Sequence, residues 1–96
     1  MKVSELTEGM LLRFKEPRAY KYTRDSGDDH WLDCGNFDPR TTLKYMTVGQ
    51  PLIIYLGQKK MEDPSYYGGY WHVREVSIEG KVAWMWPDAW RHLEAV

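Results

Sequence analysis

Apolar residues in this chain come in short runs separated by glycine, proline and polar turn residues, and no stretch keeps the three-to-four-residue spacing of a long amphipathic helix. Met10, Leu11, Leu12 and Phe14 follow a turn at Gly9 and stop at Glu16-Pro17, which predicts a first strand. Residues 18–24 alternate, with Tyr20, Tyr22 and Arg24 on one side and Ala19, Lys21 and Thr23 on the other, as a half-exposed strand does. Residues 25–40 are polar and acidic and predict a loop, inside which His30-Trp31-Leu32 is the piece able to pack inward. Residues 41–47 predict another extended segment, Val48-Gly49-Gln50 a turn, and residues 51–56 the strongest strand, with Pro51 at its first position where no ladder donor is needed. Residues 57–69, rich in Gly, Lys, Asp and Ser, predict a second long loop. Residues 70–78 return to strand, and the change of parity between Val73 and Val76 predicts a bulge or strong twist there. Glu79-Gly80 predicts a tight hairpin onto residues 81–86, because glycine accepts a positive φ at little cost. Pro87 stops that strand, and residues 88–93 predict one helical turn.

These elements add up to a single all-β domain over residues 1–96: a small barrel of five to six strands, with two long loops and a single 3₁₀ or helical turn near the C-terminus. A chain of 96 residues buries only about 60–65% of the surface its unfolded form exposes, so its core must be economical. Trp84 and Trp86 share one sheet face by alternation, and that face is either the core, with Met85 outward, or an exposed aromatic strip.

Composition changes the picture in one respect. Aromatic residues make up 15% of the chain, with five Trp and seven Tyr, more rings than so small a core holds, so some are expected at a contact surface. A net charge of -1, from 13 basic and 14 acidic residues, supplies no global field toward nucleic acid or membrane. Cys34 is the only cysteine, which excludes an intramolecular disulfide and points to a reducing, cytoplasmic setting. No apolar run approaches the roughly 20 residues that span a bilayer, and residues 1–5 lack the apolar stretch of a signal peptide, so no membrane association is expected.

The second half resembles the Src-homology-3 family and its looser bacterial and phage barrels. Gly49-Gln50-Pro51-Leu52-Ile53-Ile54 looks like the diverging turn and second strand, Tyr70-Trp71-His72-Val73-Arg74 is similar to the tryptophan-bearing third strand, and Glu79-Gly80 resembles the distal hairpin. Pro87-Asp88-Ala89-Trp90 resembles the proline-to-aromatic 3₁₀ turn, Ala19-Tyr20-Lys21-Tyr22 the alanine-to-double-tyrosine segment, and residues 25–33 stand where the acidic loop would be. The resemblance, covering residues 18–96, implies a protein- or peptide-binding module with Tyr20, Tyr22, Trp71, Pro87 and Trp90 as apolar slots for a polyproline helix, and Asp28 or Asp29 answering a basic ligand residue. The chain departs from the family at Ala89, where an amide donor is expected, in its over-long acidic loop, and in residues 1–17. The opening Lys2-Val3-Ser4-Glu5-Leu6-Thr7-Glu8-Gly9-Met10 looks like the start of many small phage proteins.

Reactive chemistry finds little support. His30 and Cys34, with Asp29 and Asp33 beside them, fall short of the four Cys or His groups of a closed zinc site, and no local motif sets Cys34 against His72 or His92 as nucleophile and base. No catalytic residue, metal or cofactor is therefore expected. The main rival to peptide binding is single-stranded nucleic-acid binding through residues 13–24, where Arg13, Lys15, Arg18, Lys21 and Arg24 interleave with Phe14, Tyr20 and Tyr22. A third class is a structural or assembly component, a homo-oligomer formed by pairing through an edge strand.

Overall fold

A computed structural model describes residues 2–24, 30–34, 46–62, 64–65, 67–85 and 87–96. The protein is all-β. Eight strands are described: β1 (Leu11–Phe14), β2 (Arg18–Arg24), β3 (His30–Cys34), β4 (Met46–Gly49), β5 (Ile53–Glu62), β6 (Tyr70–Ile78), β7 (Lys81–Met85) and β8 (Leu93–Ala95). Short 3₁₀ turns occupy Val3–Glu5 and Pro87–His92, the second within one residue of the expected late turn. The strands form one sheet in the order β4-β2-β3-β7-β6-β5-β1-β8, antiparallel except where β3 runs parallel to β7.

Among the described residues the ladder has two free ends, β4 and β8, yet its members share one interior. Leu12 and Phe14 from β1, Tyr20 from β2, Leu32 from β3, Ile53 and Tyr55 from β5, Val76 and Ile78 from β6, Ala83 and Met85 from β7, and Leu93 from β8 all join the main core, with Ala89 and Trp90 of the late turn closing it. A sheet whose distant strands meet this way must curl, as the right-handed twist of strands permits. Each large side chain so buried contributes roughly 1.5–3 kcal/mol. Gln50 Nε2 donates to the Phe14 carbonyl at 2.9 Å, which ties the segment after β4 to β1.

The strand count exceeds the expected five to six for identifiable reasons. His30–Cys34 was expected within a loop, but Leu32 is buried in the core and β3 pairs with β2 from Tyr20↔Cys34 to Arg24↔His30. Leu93–Ala95 pairs with β1 through Leu12↔Ala95, Arg13↔Glu94 and Phe14↔Leu93, an eighth strand too short for any periodicity to announce. The expected loop over residues 57–69 is strand as far as Glu62, because Gly57 serves a bulge and is not a breaker. Register slips between Tyr55 and Gly57, so the irregularity expected in β6 lies in its partner, opposite Glu75 and Val76. Gly49 and Val48 belong to β4 and not to a turn. Met85 is core, so the face that Trp84 occupies is the opposite one, and there Trp84 is buried with Met61 and Val73 and does not form an exposed strip; Trp86 lies outside the described residues.

The Glu79-Gly80 hairpin forms as expected, with φ of 51° and 76°, positive at both central positions as the right-twisted two-residue turn requires. Glycine is suited to that region and glutamate is not. Glu79 is held there by its side chain, which accepts the Tyr20 hydroxyl hydrogen bond at 2.7 Å.

Candidate functional site

The bulge at Leu56 divides β5 and β6 into two parts. Below it, Ile53↔Ile78 and Tyr55↔Val76 face the core; above it the pairs Gln58↔Arg74, Lys60↔His72 and Glu62↔Tyr70 continue the same face, since cross-strand partners point to one side. That upper face is open to water: Gln58, Lys60, Glu62, Tyr70 and His72 are exposed, and Arg74 is half-buried. The reverse side of this arm is anchored. Met61 and Val73 pack on Trp84, and Lys59 and Glu75 form an ion pair at 3.7 Å. A ribbon packed on one side and free on the other holds its free side chains in fixed register.

Those side chains form an aromatic strip carrying two cations, Lys60 and Arg74, and one carboxylate, Glu62. Lys60 Nζ sits 4.0 Å from the centroid of the Tyr70 ring, and Tyr70 meets His72 edge-on at 5.5 Å. Arg74 Nη1 donates to the Tyr55 hydroxyl at 2.8 Å, and Tyr55 meets Trp90 edge-on at 5.9 Å, so the strip runs down to the rim of the core. At the tip, Gly68 and Gly69 adopt φ of 87° and 80°, and Tyr67 is 98% exposed. Exposed rings beside ammonium and guanidinium groups can stack on planar groups and donate hydrogen bonds to anionic ones.

Of the residues expected from sequence, the described side chains are Tyr20, Tyr22 and Trp90. Tyr20 is 1% exposed and Trp90 3%, so both belong to the core and neither presents a slot to a ligand. Burial decides against them because a 96-residue domain recruits its largest rings to fill its interior. Tyr22 is half-buried, donates its hydroxyl to the Ile78 carbonyl at 3.0 Å and lies under Lys81, whose Nζ is 4.8 Å from the ring centroid. Trp71 lies in β6 opposite Met61, seven residues and thus about 23 Å along the strand from Ile78. Pro87 begins the late 3₁₀ turn; the side chains of Trp71 and Pro87, and all of Asp28 and Asp29, lie outside what is described. In residues 13–24, Phe14 and Tyr20 are buried and so offer no ring to a base, and Arg13 is paired with Glu94 at 3.1 Å.

Tyr20 and Tyr22 instead build a structural tie. Burial first, and then the hydrogen bond and charge of Glu79, push both phenols well above the usual tyrosine value. Each therefore remains a protonated donor at neutral pH, joining β2 to the β6–β7 hairpin across the interior. The exposed residues that sequence reading passed over were Lys60, Tyr67, Tyr70 and His72. The signal for three of them was the alternation Gln58, Lys60, Glu62 against Tyr70, His72, Arg74, visible only if the strand is carried past Gly57.

Among the described residues no three His, Cys, Asp or Glu side chains converge as a metal ion requires, and no helix is long and apolar enough to cross a membrane. Comparison with protein-family models, curated proteins and solved structures finds no match to this chain.

Proposed function

We propose that this chain is a non-catalytic interaction module of the Src-homology-3-like kind that binds a protein or peptide through the open face of the β5–β6 arm. The observation that carries the reading is the pair of exposed tyrosines, Tyr67 at 98% and Tyr70 at 41%, standing with Lys60 and His72 on a ribbon whose reverse side is packed. Rings left open to water beside an ammonium group are suited to contact. Lys60 and Arg74 favour a peptide with acidic residues. Selection from a random peptide library on the intact protein is expected to enrich acidic, aromatic-containing sequences whose binding is lost in Tyr67→Ser/Tyr70→Ser and kept in Tyr20→Phe. Binding that survives the double substitution places the working surface elsewhere.

One observation favours a second reading. The Lys60 ammonium over Tyr70 is an arrangement that also stacks a base and meets a phosphate, which makes single-stranded nucleic acid the rival ligand of the same arm. Titration with an unstructured oligonucleotide at two salt concentrations separates the readings, since phosphate contacts weaken steeply with salt.

A further inference from the structure

The outer face of the sheet, away from the core and the arm's open side, gathers apolar residues without burying them. Alternation from the buried Leu12, Ile53 and Ala83 sends Leu11, Leu52 and Val82 outward, and the ladders align Val96, Leu11, Ile54, Ser77 and Val82 as one row across β8, β1, β5, β6 and β7. Leu52, just before β5, and Leu56 within it flank that row. Among the described residues eight large hydrophobic side chains are exposed; five of them, Leu11, Leu52, Leu56, Val82 and Val96, stand on this face at 41% to 65% exposure. The other three, Val48, Tyr67 and Tyr70, lie on β4 and at the arm. Single exposed apolar residues are ordinary, but Val96, Leu11, Leu52 and Leu56 gathered around Ile54 on one face mark a contact surface, with Val82 set apart beyond Ser77.

Charge on the same face identifies the occupant. Arg13 and Glu94, two residues along from Leu11 and Val96, are paired at 3.1 Å with side chains 50% and 37% exposed. A surface with an apolar row beside one cation and one anion is complementary to itself, because a two-fold rotation lays each charge of one copy on the opposite charge of the other. The area suits a weak, concentration-dependent pair: a standard specific interface buries about 800 Å² per partner and an obligate homodimer more, whereas Leu11, Leu52 and Val96 at about half exposure supply on the order of 250 Å², to which Ile54, Val82 and the stems of Arg13 and Glu94 add. The net charge of -1 imposes little repulsion between copies.

We infer that this face is covered by a second copy of the chain. The sheet is curved, so a partner contacts neighbouring strands and not the whole row: β8, β1 and β5 form the centre, with Leu11, Leu52, Ile54 and Val96 packed across the two-fold axis, Arg13 of each copy on Glu94 of the other, and Val82 at the rim. The arm's open face stays free on both copies. This assembly does not depend on what the arm binds.

Sedimentation velocity from about 1 to about 300 μM tests the pairing. The wild-type protein is expected to pass from monomer to dimer over that range, and Leu11→Lys and Leu52→Lys are each expected to raise the dissociation constant at least about tenfold with an unchanged circular dichroism spectrum, since both side chains already face water in the single copy. Arg13→Glu and Glu94→Arg are expected to weaken pairing separately, and an equimolar mixture of the two to restore it, because like charges meet in each homodimer and opposite charges in the mixed one. A change confined to the internal Arg13–Glu94 pair gives no such rescue. A wild-type protein monomeric at the highest concentration, a dimer indifferent to both lysine substitutions, or a mixture no tighter than its components overturns the inference.

Discussion

The two halves of the β5–β6 ribbon are one ladder with opposite characters. Below Leu56 its inner face holds Ile53, Tyr55, Val76 and Ile78 in a dry core; above, the same face carries Gln58, Lys60, Tyr70 and His72 into water. One extra residue makes the difference. Had alternation run on from Ile53 and Tyr55 without the bulge, Met61 would point to the open side and Lys60 to the packed one. The bulge sends Met61 to Val73 and Trp84 and turns Lys60 toward Tyr70. In a chain this small, a β-bulge therefore settles which residues stabilise the fold and which remain for contact.

The sharpest way to break this division is to treat a core ring as if it were a contact ring. Trp90→Ala is expected to cost about 3–5 kcal/mol in urea unfolding, a large fraction of the roughly 5–15 kcal/mol that holds a domain together. Its ring is 3% exposed and packs edge-on against Tyr55, so truncation opens a cavity in the main core. A loss under about 1 kcal/mol is the range of a surface substitution and would return Trp90 to the contact face.

The dividing point itself is tested at Gly57. Its φ of 114° lies where side chains are strained, and a Cβ there would meet Glu8 Oε1 at 2.6 Å. Gly57→Ala is expected to cost about 1–3 kcal/mol in the same assay. Adding Glu8→Ala removes the collision but not the torsional strain, so the double variant should recover only part of the loss. Full recovery would mean that the backbone at the bulge is not constrained.

How far the sequence reveals this division depends on what each signal measures. The Glu79-Gly80 hairpin, the late 3₁₀ turn and the core positions of β1 rest on local chemistry, and all are found where expected. The upper arm was hidden because Gly57, Lys59, Lys60 and Glu62 carry loop composition, while the pairing that makes them strand is supplied by residues 70–75 across the β5–β6 hairpin. β3 and β8 were hidden for the same reason: five and three residues make no period, and only their neighbours define them. Tyr20 and Trp90 illustrate the opposite limit. Large aromatics in a recognisable order suggested a groove, whereas Tyr20 and Trp90 are the volume that fills the interior. Composition counts rings; it cannot say which side of a strand they occupy.

The tie between β2 and the β6–β7 hairpin gives the comparison a pH dependence. In the unfolded chain Tyr20 and Tyr22 titrate near 10.0, and in the folded one burial and Glu79 raise both. Above pH 10 the unfolded chain thus holds fewer protons than the folded one, and stability falls as pH rises; below that value the contribution is fully present. Each tyrosine steepens the loss by up to about 1.4 kcal/mol per pH unit. Unfolding midpoints at rising alkaline pH should drop in the wild type and drop less in Tyr20→Phe/Tyr22→Phe. Equal slopes would show that the hydroxyls are not tied.

The smallest expected effect on stability belongs to the open face of the arm. Tyr67→Ser stays within about 0.5 kcal/mol of wild type, because a side chain 98% exposed loses almost nothing on truncation. Tyr70 and Lys60 are coupled through the cation over the ring, and a double-mutant cycle of Lys60→Ala with Tyr70→Leu is expected to read about 0.5–1 kcal/mol, the range of such contacts at exposed sites. Coupling of that size with little total loss is what a preset contact strip requires: the rings are oriented before a partner arrives, and the fold does not depend on them. If Tyr70→Leu instead cost as much as Trp90→Ala, the upper face would be packed like the lower one and the two halves of the ribbon would not differ.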